Sequence, residues 1–137
     1  MKTLTLRLGQ FAIGGFIVTF LFRYILNLCI GIESVFATTL CSIVYFFIMF
    51  LIGWYFGSKE AKETDIHDIG FRFHLVTFIL CIGIGFISYH IGWNTESLIS
   101  MKIAAISWGI GLLIHFFFYI IAQKNSIKGY AKDEIFE

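Results

Sequence analysis

Four apolar stretches, at residues 9–30, 35–56, 71–91 and 98–122, take up most of the chain, and short polar links join them. A helix needs about 20 mostly apolar residues to cross a hydrocarbon core about 30 Å thick. In lipid the backbone N–H and C=O groups find no water, so a run of this length satisfies them within itself by forming a helix. The pattern predicts an all-α integral membrane protein whose four transmembrane helices form two antiparallel hairpins in a bundle. Residues 1–57 are expected to be an N-terminal transmembrane hairpin and 58–70 a charged cytoplasmic loop. A second hairpin follows over 71–122, and 123–137 form a short amphipathic cytoplasmic tail.

Composition agrees with that solvent. The chain is 58% hydrophobic and 14% charged, against about 25% charged in an ordinary soluble domain. Seventeen Phe and no Pro suit helices that face lipid or one another. The formal net charge of +1 gives no reason to expect a nucleic-acid partner. Lys2 and Arg7 ahead of an apolar run imitate a secretory signal, but no small-x-small cleavage site follows, so the segment is expected to stay as an anchor. Cys29, Cys41 and Cys81 all fall within apolar stretches, without metal-ligand spacing, and read as small packing residues.

The distribution of cations predicts orientation. Lys2, Arg7, Lys59, Lys62, Arg72, Lys124, Lys128 and Lys132 fall on one side of the four spans, and only Lys102 on the other. The positive-inside rule then places both termini and the middle loop in the cytoplasm of a multi-pass cell-membrane protein. Trp54, Tyr55, Trp93 and Tyr119 lie near span ends, where amphipathic rings prefer the headgroup region.

Membrane helices associate through small residues and interhelical hydrogen bonds, so these residues should mark the seams. Gly15, Thr19, Arg23 and Asn27 step by four along the first span. The second offers Thr38, Ser42, Tyr45 and Met49, the third His74, Thr77, Cys81, Gly85 and Ser88, and the fourth Ser100, Ala104, Ser107, Gly111 and His115. These stripes predict a compact four-helix closure, although they would also suit a second copy of the chain or another membrane protein as partner, besides the lipid bilayer.

Arg23 is the one charged residue inside a span, at a depth where insertion costs about 2.5–3.5 kcal/mol. It is expected to pair with Glu33, Glu96, Asn27 or a helix carbonyl, or to snorkel; the functional alternative is contact with an anionic ligand. His67 belongs to the charged loop and is expected to be solvated, and His90 to be interfacial beside Tyr89 and Trp93. His74 and His115 sit at similar depths in antiparallel neighbours and are expected to face one interhelical space near Trp108 and Gly111. Hydrogen-bonded packing is the structural expectation for this pair. Two neutral imidazoles are also suitable axial ligands for haem b, although the chain is expected to need no cofactor.

The segment Gly70-Phe71-Arg72-Phe73-His74-Leu75-Val76-Thr77-Phe78, with Ser107-Trp108-Gly109-Ile110-Gly111-Leu112-Leu113-Ile114-His115 after it, resembles the two-TM domain family of bacterial membrane proteins. That family opens its first helix on an aromatic-x-His-Leu pattern and closes its second on Gly-Trp-Gly-Ile-Gly-Leu-x-x-His. The resemblance covers about half of the chain. Ser107 stands where the family has glycine, an asparagine later in the first family helix is absent, and a hairpin is added in front. The resemblance implies that His74, Trp108, Gly109, Gly111 and His115 are the characteristic positions. It also implies a bacterial inner-membrane location and an accessory role in signalling, since the family occurs free-standing and joined to signalling modules.

No nucleophile, base and orienting group fall within plausible reach of one another, so an enzyme is not expected. The spans also lack Asp and Glu, against a proton-coupled carrier. The functional expectation is a non-enzymatic membrane scaffold or sensor-like interaction module. A bis-histidine haem protein for electron transfer comes second, and a small oligomeric channel or transporter third.

Overall fold

The computed structural model describes residues 5–63 and 69–128 and is all-helical, with α1 (Leu6–Gly31), α2 (Val35–Glu63), α3 (Ile69–His90) and α4 (Leu98–Lys128). All four contain segments long and apolar enough to cross a membrane, which in α4 is Leu98–Ile121. They fit a multi-pass membrane protein.

Three helix starts carry hydroxyl caps that satisfy an otherwise unpaired N–H. Thr5 accepts from the Leu8 N–H at 3.2 Å, Ser34 from Ala37 at 3.2 Å, and Ser97 from Ser100 at 3.1 Å. The short link between α1 and α2 turns at Glu33, whose φ of 53° is left-handed. Gly92, at φ 73°, plays the same part after α3, where the absence of a Cβ removes the steric penalty.

Two boundaries differ from the sequence expectation. Residues 58–63, expected in the charged loop, continue α2, and α4 runs into the expected tail as far as Lys128. The reason is common to both: Lys, Glu, Gln and Ala are as good helix formers as Leu, so loss of apolarity shows where a helix leaves lipid and not where it ends. The extension of α2 is fastened to the start of α1. Arg7 meets the Glu63 carboxylate at 2.5 and 3.0 Å, and the Thr5 hydroxyl donates to the buried Glu60 at 2.8 Å. His67 and residues 129–137 lie outside the described residues.

Packing centres on α1 and α3. Helix α1 packs on α2 and α3, α3 also on α2 and α4, and among the described residues the backbone of α4 comes close to no helix except α3. The compact closure expected from the small-residue stripes is therefore open between α2 and α4. Gly15 is buried where α1, α2 and α3 meet, a Cβ there lying 3.1 Å from Leu80 and 3.3 Å from Met49. Phe11 lies against Phe73 at 4.7 Å with the rings tilted by 47°, and Phe22 stacks on Tyr45 at 4.1 Å. The Thr19 and Tyr45 hydroxyls share a buried hydrogen bond of 3.0 Å. In α4, by contrast, Ser100, Ser107 and His115 of the expected inward stripe are exposed, because the helix has a single neighbour to bury them.

Candidate functional site

The gap between α2 and α4 holds two grooves, one toward each end of the molecule, with Phe46 and Trp108 lining both. The first, of about 580 Å³, lies toward the end where Arg7 meets Glu63. Its walls are Phe50 and Trp54 of α2, Phe73 and His74 of α3, and Trp108 and His115 of α4. The second, of about 650 Å³, lies toward the α3–α4 connection and contains Arg23, Glu96, Thr38, Ser42 and Tyr45.

In the first groove the His74 and His115 rings stand 4.8 Å apart between centroids, tilted by 38°. Gly111 of α4 faces the His74 ring, a Cβ there standing at ordinary contact distance, 3.6 Å from Cε1 and Nε2. Trp108 flanks the same ring at 6.2 Å. Gly70, in the first turn of α3, lies under His115, with 3.9 Å between an added Cβ and Nδ1. The structure thus brings His74, His115, Trp108 and Gly111 into one place. His74 is half-buried, whereas His115 is exposed and reaches the groove from outside the packed core.

One polar atom here is not accounted for by the fold. His74 Nε2 is buried with no partner in hydrogen-bonding geometry. Leaving a polar ring atom unsatisfied costs free energy, about 1–3 kcal/mol for a typical buried group. Nearby, Thr77 is satisfied, its hydroxyl donating to the Phe73 carbonyl at 2.8 Å. The His74 edge is therefore where the groove calls for a polar partner.

Arg23 and Asn27 do different work. Arg23 Nη1 meets Glu96 at 2.5 Å and Nη2 donates to the Cys81 carbonyl at 3.0 Å, with the two side chains 12% and 17% exposed. One turn along α1, Asn27 accepts from the Thr95 N–H at 2.9 Å and its hydroxyl at 2.5 Å, and donates to the Trp93 carbonyl at 3.3 Å. The pair ties the α3–α4 connection to α1. Neither residue lies in the histidine groove, and Arg23 places its two terminal nitrogens on protein partners while its Nε, also buried, has none. His90 is exposed at the end of α3 against Tyr89.

Sequence reasoning named Gly85, Thr19 and Tyr45 as seam residues without their partners, and it missed Phe46. Gly85 lies directly beneath the guanidinium, so close that a Cβ would collide with it. The Thr19–Tyr45 bond joins two residues that were visible on facing stripes but not paired. Phe46, which borders both grooves, was one apolar residue among many in its span. The signal for Gly85 was present, since it follows Cys81 by one helical turn on the polar stripe of α3.

Comparison of the chain with protein-family models, with curated proteins and with solved structures gives no match.

Proposed function

We propose that this chain is a non-enzymatic integral membrane protein that acts as a sensor-like interaction module, with its ligand held in the groove at His74 and His115. The observation that carries this reading is the meeting of two imidazoles in a lateral, aromatic-walled groove, one of them with a buried and unpartnered Nε2. Convergent polar groups in an otherwise apolar pocket are the general form of a small-molecule site. The resemblance of the α3 and α4 motifs to the two-TM domain family has both histidines among its five characteristic positions, with Trp108, Gly109 and Gly111, and points to a signalling accessory role in a bacterial inner membrane. On this reading the helices lie in the cell membrane as two antiparallel hairpins, with both termini and the α2–α3 loop cytoplasmic. The cation asymmetry supports that orientation. A second copy or another membrane protein would read the ligand's presence through the exposed α4.

A second reading, haem b between the same two histidines, is favoured by their proximity alone. Two axial nitrogens, each about 2 Å from a metal on opposite sides of a macrocycle, put the ring centres about 6 Å apart. The imidazoles stand at 4.8 Å and would have to part to admit it. An absorption spectrum of the purified, detergent-solubilised protein separates the readings. A Soret band abolished by His74→Leu or His115→Leu supports haem. A colourless, fully helical protein whose melting temperature rises with an extract of membrane lipids, and does so only while His74 is intact, supports the sensor. A colourless protein that responds to nothing refutes both.

A further inference from the structure

We infer that the ligand of the histidine groove is a neutral quinone-class molecule: a flat ring bearing carbonyl or hydroxyl oxygens, with an apolar chain that leaves the groove between α2 and α4. This rests on the ligand-binding reading of the groove and gives it a chemical class.

Charge decides the head. Among the described residues, no Lys, Arg, Asp or Glu lines this groove. At the same end, Arg7 is engaged by Glu63, and Lys59 lies against the Tyr55 hydroxyl and ring at 2.5 and 4.2 Å. A carboxylate or phosphate head drawn down to His74 would leave water with no lysine or arginine among the described residues of the groove wall to meet it, at a cost that a neutral head avoids.

Hydrogen bonding decides the oxygens. A neutral imidazole offers one donor and one acceptor, so the His74–His115 pair can donate to a carbonyl or accept from a hydroxyl. A ring that interconverts between quinone and quinol presents both, and it would satisfy the buried Nε2 that the protein leaves unpartnered. Shape decides the ring. Phe11 and Phe73 close the inner side, and Phe50, Trp54 and Trp108 supply further aromatic surfaces, which favour offset stacking or edge contacts with a planar system. A volume of about 580 Å³ falls within the range that takes one ring and the first part of a chain. Phe46, Phe50 and Trp54 are more than half exposed, so the chain has an apolar path outward along α2.

The test uses the full chain reconstituted in phosphatidylcholine nanodiscs and a decyl-substituted benzoquinone as probe. Melting temperature and quenching of tryptophan emission are followed, the latter because Trp54 and Trp108 line the groove while Trp93 lies at the opposite end. The expected result is saturable binding with a rise in melting temperature, weakened at least tenfold in His74→Leu. Gly53→Leu provides a second variant: its Cβ meets only Phe11, at 3.8 Å, so the longer side chain fills the groove and should abolish binding while both imidazoles stay. Quenching that never saturates and is equal in all three proteins overturns the inference, as does equal stabilisation by palmitate or by decanol. A His74-dependent response to haemin with none to the quinone overturns the ligand class and leaves the groove as a binding site. No response to any probe, in a protein with its full helical content, overturns the groove reading as well.

Discussion

Substituting Gly85 by alanine tests whether the Arg23 cradle is what holds the α3–α4 connection in place. In an ordinary helix interior this change is favourable, by about 1 kcal/mol. Here the added Cβ would stand 2.8 Å from Cζ of Arg23 and closer still to Nη2, so the guanidinium must leave. Leaving means losing the hydrogen bond to the Cys81 carbonyl and moving off Glu96. A hydrogen bond to a charged group is worth about 1.5–3 kcal/mol, and breaking a buried ion pair costs about 3–5 kcal/mol. The Arg23–Glu96 pair is only partly buried, which puts its loss toward the lower figures. Because the guanidinium ends a flexible side chain it can shift and meet Glu96 again, so the net loss is the Cys81 hydrogen bond less the helix gain of about 1 kcal/mol, and Gly85→Ala should destabilise by about 0.5–2 kcal/mol. For a chain of this size that lowers the melting temperature in detergent by about 2–6 °C. The decisive arm is the Arg23→Leu background, where the collision is relieved and the same Gly85→Ala change should become neutral or stabilising. If Gly85→Ala raises the melting temperature in both backgrounds, Arg23 is not seated over Gly85 and the cradle argument is wrong.

Three further outcomes can be checked. Tyr45→Phe removes the bond to Thr19 and leaves the stacking on Phe22, so a loss of about 0.6–1.7 kcal/mol in unfolding experiments is expected; no loss would mean that the hydroxyls find other partners. Asn27→Ala frees Thr95 and the Trp93 carbonyl, and hydrogen exchange at residues 93–96 should rise while α2 and the first half of α1 keep their protection. Lys62→Cys, at an exposed position on α2, should be labelled by a membrane-impermeant maleimide only in inverted vesicles, and labelling of intact cells would reverse the proposed orientation.

The sequence determined that there would be four helices, because runs of about 20 apolar residues have one backbone solution in lipid. Position along α1 was enough to show that Arg23 needed a partner, and Glu96 was among the few candidates. Equal depth in neighbouring spans was enough to bring His74 and His115 under one hypothesis. Helix ends were not legible, since Lys59, Glu60, Ala61, Lys62 and Glu63 of α2 and the lysines at the end of α4 are themselves good helix formers. Nor was the open seam between α2 and α4. A stripe of small residues says that a face can be approached closely but not which helix approaches it, and Gly111 and Ser107 looked the same whether α4 had one neighbour or two. Only the tertiary structure decided that, among the described residues, α4 rests on α3 alone. That single fact exposes His115, leaves His74 Nε2 at the edge of an aromatic groove, and turns a packing stripe into a candidate binding site, because helix pairing is settled by the summed contacts of whole faces rather than by any residue taken alone.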